Sequence, residues 1–152
     1  MNTFTELECD LCELETFAKN ITKTANIGEI YLLSGELGVG KTTFARFFIY
    51  ALYKRYKVKK PDKIKSPTYP ILINYPLLNF EICHYDLYRL KDINELQEIG
   101  IFENFLKNIS IIEWPEIILK DSILNNYHLI NLEMINTNKR KITMQHFNSN
   151  EF

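Results

Sequence analysis

Residues 35–42 read Gly-Glu-Leu-Gly-Val-Gly-Lys-Thr, a match at every position to the phosphate-loop pattern G-x-x-x-x-G-K-[ST]. Each residue type has a reason to be there. Gly35, Gly38 and Gly40 let the backbone curl around an anion so that successive N–H groups point inward. A helix beginning at the loop's end adds its positive dipole end. The Lys41 ammonium can bridge β- and γ-phosphates, and the Thr42 hydroxyl can ligate Mg²⁺. Glu36, Leu37, Val39 and Thr43 complete the stretch whose backbone would line a nucleoside triphosphate. The flanks agree: Ile30-Tyr31-Leu32-Leu33 is a short apolar, β-prone run, and Thr43–Ile49 carries no Gly or Pro.

Such a loop works with a carboxylate at the end of a neighbouring strand, which orients Mg²⁺ or polarises the attacking water. Asp86 follows the apolar run 80–85, and Glu113 follows the run 109–112. Both could sit beside the loop, and composition does not choose between them. The plainer readings are a helix cap or an Arg89 partner for Asp86, and a surface acid ahead of Pro115 for Glu113. His84 could orient Asp86 or approach the γ-phosphate. Arg89 is near enough in sequence to clamp a phosphate or a carboxylate.

The elements that must position these groups follow from periodicity. Residues 3–7 read as a first strand, and 10–24 as an amphipathic helix with Leu11, Leu14, Phe17, Ala18 and Ile21 on one face. A strand over 29–34 feeds the loop, and a helix over about 41–56 leaves it, with Phe44, Phe47, Phe48, Ala51 and Leu52 inward. Ile71–Ile73 and Phe80–Tyr85 form a hairpin, with Pro76 and Asn79 marking its turn. Residues 92–106 read as helical, with Asp92 and Glu95 at capping-box spacing and Gly100 as an interruption. Residues 127–135 and 139–147 alternate as a terminal hairpin turning at 136–138. The expected fold is a three-layer α/β domain. Its mixed sheet is partly parallel around the loop and carries antiparallel hairpins, with the site at the carboxyl ends of the parallel strands. Residues 1–147 make one domain, and 148–152 a frayed tail.

Bulk properties narrow the class. The chain has 152 residues, 46% hydrophobic and 24% charged, so one well-buried core is expected. The net charge of −1 favours no class of partner. An acidic N-terminus and the absence of a long apolar run argue against a signal peptide or membrane span, which points to the cytoplasm. Cys9 and Cys12 form a C-x-x-C but lack a second ligand pair, and their acidic surroundings raise thiol pKa, so they read as reduced cysteines together with Cys83. Residues 54–65 hold seven of the 18 basic residues against one acid, Asp62. That run is a solvated helix end and loop, or a docking surface for RNA or an acidic protein. Asn138-Lys139-Arg140-Lys141 begins like a guanine-reading Asn-Lys-x-Asp but has Lys141 in place of the Asp. Adenine is therefore the expected base. No Arg-rich lid of the small-molecule-kinase kind is evident.

Four segments in order resemble the TsaE family: Gly35–Thr43, Ser66-Pro67-Thr68-Tyr69, His84-Tyr85-Asp86-Leu87-Tyr88-Arg89-Leu90, and Glu113-Trp114-Pro115-Glu116. The resemblance spans about residues 10–145. It implies a small P-loop NTPase-like ATPase that supports threonylcarbamoyladenosine formation next to the tRNA anticodon. It also implies ATP and Mg²⁺ as cofactors and TsaD-like and TsaB-like proteins as partners, with the group transfer done by TsaD. By the same resemblance Lys41 and the loop glycines bind phosphate, Thr42 binds Mg²⁺, and Glu113 is the metal- or water-orienting acid with Asp86 the second. Thr68, in a mobile switch segment, senses the γ-phosphate. Trp114 packs near the nucleotide or in the core, and Arg140 lies near the adenine. Val39 departs from the usual small residue between two glycines, and its side chain can point away from the phosphates. The rival readings are a small-molecule kinase, which would form ADP with an acceptor and no protein partner, and a nucleotide-dependent assembly switch, which would need ATP binding but not hydrolysis.

Overall fold

A computed structural model describes residues 3–149. The chain runs β1 (Phe4–Cys9), α1 (Leu11–Thr22), β2 (Ile30–Gly35), α2 (Lys41–Arg55), β3 (Leu72–Leu77) and β4 (Phe80–Asp86). It continues with α3 (Ile93–Glu98), α4 (Ile101–Lys107), β5 (Ile109–Glu113), α5 (Glu116–Lys120), β6 (Asn126–Met134) and β7 (Arg140–Asn148). All seven strands form one sheet in the order β1-β7-β6-β2-β5-β4-β3. Its four central strands are parallel neighbours, β6 with β2, β2 with β5 and β5 with β4. Antiparallel pairs flank them on both sides.

Strands β2, β4 and β5 are buried on both faces along most of their length, and their alternation divides two cores. Tyr31 and Leu33 of β2 pack with Phe44, Phe48 and Leu52 of α2 and with Leu14 and Ala18 of α1. Ile30 and Leu32 face the other way, toward Leu96, Ile101, Phe105 and Ile118 of α3, α4 and α5. The result is the three-layer mixed α/β arrangement expected from sequence. Full burial of a side chain such as Phe44 or Phe48 contributes about 1.5–3 kcal/mol, so α2 is the best-anchored helix and gives the loop a rigid base.

Local details differ from the sequence expectation for physical reasons. Pro76 lies inside β3, which reaches Leu77, and the turn falls at residues 78–79. Because β3 is an edge strand paired only with β4, the missing Pro76 N–H costs no ladder bond. Helix 92–106 is two helices: Asp92 and Glu95 form the capping box of α3, and Gly100, at φ +69°, breaks the backbone before α4. Leu11 is 61% exposed because Asp10 caps α1 through the Glu13 N–H and leaves the first turn clear of the sheet. The short helix α5 was not expected. β7 extends to Asn148, the Ser149 N–H donates to the Asn125 carbonyl, and 150–152 lie outside the described residues. Cys9 is buried and Cys12 exposed; burial, then the charges of Glu13 and Asp10, raises the Cys9 thiol pKa. Among the described residues no helix is long and apolar enough to cross a membrane.

Far from the loop, His128 and His146 face each other across β6 and β7 with rings stacked 4.4 Å apart. Burial, then the charge of His128, lowers the His146 pKa. The unfolded chain therefore binds that proton more readily. The stability contributed by neutral His146 is present above about pH 6.5 and lost as pH falls through the lower folded value. Urea midpoints are expected to fall between about pH 7.5 and pH 5.5, and His146→Gln should reduce that fall. An equal fall in the variant would remove His146 as its source.

Candidate functional site

The strand ends bring the predicted groups together. Gly35 ends β2, Glu113 ends β5 and Asp86 ends β4, and the register pairs Leu33 with Glu113 and Glu113 with Asp86. The two acids that sequence could not rank are thus side by side at the carboxyl edge of the parallel strands. Loop 35–40 turns from β2 into α2, whose first residues are Lys41, Thr42 and Thr43. A cleft of about 360 Å³ opens over this edge, lined among others by Gly38, Lys41, Thr42, Thr68, Asp86 and Glu113.

Glu113 is the hub. It is 2% exposed, and both carboxylate oxygens are engaged. The Thr42 hydroxyl donates to Oε1 at 2.6 Å, and His84 Nε2 lies 2.7 Å from Oε2. His84 is fully buried, and its Nδ1 has no partner, so Nε2 is the nitrogen that fixes the carboxylate. His84 therefore orients Glu113, where sequence had suggested Asp86 or the γ-phosphate. Asp86 is half-exposed and accepts from the Tyr88 backbone N–H at 3.0 Å. Burial, then the neighbouring Glu113 charge, raises its pKa against the lowering effect of that hydrogen bond.

Lys41 is buried at the base of the loop. Its ammonium donates to the Gly35 carbonyl at 2.5 Å and the Glu36 carbonyl at 2.9 Å, and lies 3.8 Å from the centre of the Trp114 ring. Burial lowers its pKa, while the charges of Glu113, Glu116 and Asp86 raise it. Trp114 reaches this position from a left-handed backbone, φ +57°, directly before Pro115. A non-glycine residue there stores about 1–3 kcal/mol of strain. The strained turn directs the indole onto Lys41 and against Tyr88, whose ring centre is 4.8 Å away.

The Ser66–Tyr69 segment closes the cleft from the side. The Ser66 and Thr68 hydroxyls are 2.9 Å apart. Arg89 donates to the carbonyls of Thr68 and Tyr69 and stacks on the Tyr69 ring. One Nη of Arg89 thus holds two backbone carbonyls of the Ser66–Tyr69 segment. On the far side of the loop a second cleft of about 350 Å³ is lined by Leu11, Leu14, Val39, Thr43, Asn138 and Arg140, among others. Arg140 braces the loop from β7: its Nε donates to the Val39 carbonyl at 2.8 Å, and an Nη donates to the Asn136 carbonyl at 2.8 Å. The Val39 side chain is buried, as a residue pointing away from the phosphates would be. The two clefts share Gly38, Gly40 and Thr43. Phosphates on one side of the loop and a base on the other would therefore fit one nucleotide.

Gly35 is where the loop depends most on a missing side chain. Its φ is +146°, and a Cβ there would lie 2.5 Å from the Leu132 carbonyl oxygen and 2.9 Å from a Val39 methyl. Gly35→Ala is expected to lower stability by about 1–3 kcal/mol through backbone strain alone. It should also displace the loop and weaken nucleotide binding. A variant with wild-type melting temperature and nucleotide affinity would contradict this.

Sequence reasoning missed the Glu113–His84 contact, the Trp114–Lys41–Tyr88 stack and the Arg89 grip on the Ser66–Tyr69 segment. Only the positions of both acids after apolar runs pointed toward their pairing.

Comparison with known proteins agrees with the geometry. The family described as "Threonylcarbamoyl adenosine biosynthesis protein TsaE" matches residues 10–142. The tRNA threonylcarbamoyladenosine biosynthesis protein TsaE of Rickettsia conorii is 40% identical over 128 residues, 84% of this chain and 70% of that protein. Its Aquifex aeolicus counterpart is 33% identical over 125 residues, 82% of this chain and 83% of that protein. The crystal structure of Bacillus subtilis YdiB superposes with a TM-score of 0.72 at 20% identity, covering 99% of this chain and 90% of that one, which supports the fold. A phosphate loop, its two neighbouring acids and a family match across most of the length converge: this chain belongs to the TsaE family of tRNA threonylcarbamoyladenosine biosynthesis.

Proposed function

We propose that the chain is a Mg²⁺-dependent ATPase that supports threonylcarbamoyladenosine modification of tRNA, acting with TsaD-like and TsaB-like proteins and not transferring the group itself. The observation that carries the reading is the hydrogen-bonded series Thr42–Glu113–His84 at the foot of the phosphate loop. Its place of action is the cytoplasm, where tRNA is modified.

The donors suit Mg²⁺. Thr42, Glu113 and Asp86 offer only hard oxygens, and the described residues contain no ready-made cluster of three or more metal-ligating side chains. Mg²⁺ takes one or two carboxylates, keeps several waters and completes its shell with substrate phosphates, so a sparse oxygen set fits it. When bound, it would neutralise charge on the β- and γ-phosphates.

The chain's own residues then divide the work. Backbone N–H groups of 36–43 and the start of α2 bind the phosphates. Lys41, brought near by the Gly35 and Glu36 carbonyls, supplies a positive charge to the transferring group. Glu113, held by Thr42 and His84, orients the metal or the attacking water, and Asp86 beside it is the second acid. Thr68 lines the cleft, and in this reading it senses the γ-phosphate. Arg140 keeps the Val39 turn in place beside the base cleft, where the expected adenine would lie. Among the described residues Arg46, Arg55, Arg89 and Arg140 each donate to backbone carbonyls, and with a catalytic arginine supplied by a partner the isolated chain should turn over slowly.

The test is ATP hydrolysis by this chain alone and with its own TsaB-like and TsaD-like proteins. Strong stimulation by the pair is expected. Fast turnover alone, or neither stimulation nor association, would contradict partner dependence and direct attention to small-molecule acceptors.

A further inference from the structure

The end of α2 and the segment joining it to β3 carry an uncompensated charge. Lys54, Lys57, Lys59, Lys60, Lys63 and Lys65 are all exposed, with Asp62 the one acid among residues 54–65. Among the described residues the ion pairs found involve none of these six ammonium groups. Arg55 is different. It donates to the carbonyls of Thr22 at 2.8 Å and Ala25 at 2.5 Å, and ties the ends of α1 and α2 together. Six like charges in one short segment repel one another, and a bound polyanion relieves that repulsion.

The lysines stand on a fixed support. The Val58 N–H donates to the Tyr53 carbonyl at 3.1 Å, Arg46 Nε donates to the Ile64 carbonyl at 3.0 Å, and Ile64 is 2% exposed. Beside them a groove of about 410 Å³ runs between α1 and the end of α2, with Phe47, Tyr50, Lys54 and Lys60 in its walls. Lys60 lies 4.8 Å over the Tyr50 ring. The acid in the groove, Glu15, is already paired with Lys19 at 3.1 Å.

The chemistry selects among polyanions. Protein interfaces are depleted in Lys and centred on apolar or aromatic anchors. No large apolar side chain within 54–65 is exposed to serve as one. Phosphodiester oxygens need no such anchor and accept from Lys directly.

We propose that this face binds the sugar–phosphate backbone of a folded RNA. The proposal rests on the tRNA-modification reading for its choice of RNA, and it assigns the contact to this chain itself. None of the six lysines lines the phosphate cleft, so both sites can be filled together. The experiment is anisotropy of a labelled, transcribed tRNA with the full chain across a salt series, using wild type and Lys57→Gln/Lys59→Gln/Lys63→Gln. ATP affinity is measured on the same samples. The triple variant should bind RNA roughly tenfold or more weakly at low salt. The slope of log affinity against log salt should be smaller by about three, with ATP affinity unchanged. RNA binding that ignores the substitutions overturns the proposal. So does loss of poly-glutamate binding with RNA binding intact, which would reassign the face to an acidic protein. Absent RNA binding with intact ATP binding removes this inference alone, whereas loss of ATP binding counts against the nucleotide reading.

Discussion

Lys41→Ala should weaken ATP binding by roughly 30- to 140-fold, the loss expected when one charge-assisted contact worth about 2–3 kcal/mol is removed. The buried ammonium is already gathered at the loop by two carbonyls and the Trp114 face, so little reorganisation separates it from a phosphate at the same place. The substitution also removes those internal contacts. Lys41→Met is therefore the informative companion, because it keeps the apolar stem against Trp114 while deleting the charge. The two variants should lose similar affinity if charge is the cause. The measurement is calorimetric, because the single Trp sits on the mutated residue and its fluorescence would change regardless. Wild-type affinity in both variants would move the phosphate site away from this loop.

Glu113→Gln should leave ATP binding within a few-fold of wild type and reduce Mg²⁺-dependent hydrolysis by on the order of a hundredfold, the typical loss for a positioned acid–base group. The amide keeps the shape and removes the charge that orients the metal or the water. Asp86→Asn should cost less, because Asp86 is half-exposed and does not touch Thr42, whereas Glu113 is buried and does. An active Glu113→Gln beside an inactive Asp86→Asn would reverse the ranking. His84 acts through Glu113, so its test separates position from stability. His84→Leu strands the buried Oε2 and should cost roughly tenfold to a hundredfold in turnover. His84→Gln, which can return a donor near the former Nε2, should recover part of kcat. Failure of both with normal melting would give His84 a role of its own.

Much of this arrangement could be read from the chain because local rules and tertiary fold agree there. The glycine pattern, the apolar run before it and the helix-forming run after it each specify the same strand–loop–helix. The capping box at Asp92 and the break at Gly100 also work within a few residues. What could not be read is set by partners far apart in sequence. Thr42 and Glu113 are 71 positions apart, and only the order β2-β5-β4 brings them together. Pro76 looked like a turn residue because a proline disrupts a central strand, and whether a strand is an edge is a property of the whole sheet. Arg89 read as a phosphate or carboxylate clamp because it lies three residues from Asp86, and its hold on the carbonyls of Thr68 and Tyr69, about twenty positions away, is set by the tertiary fold. Leu11 fits the α1 stripe by spacing and is still exposed, since capping by Asp10 starts the helix beyond the sheet's cover.

The central claim is that this cleft binds ATP together with Mg²⁺. Calorimetric titration of the full chain with a non-hydrolysable ATP analogue, with and without Mg²⁺, tests it most directly, with the GTP analogue run in parallel. One site, tightened by Mg²⁺ and weaker for GTP, is the predicted result. No binding, or an affinity indifferent to Mg²⁺, would contradict the assignment of Thr42, Glu113 and Asp86 to a metal–triphosphate site.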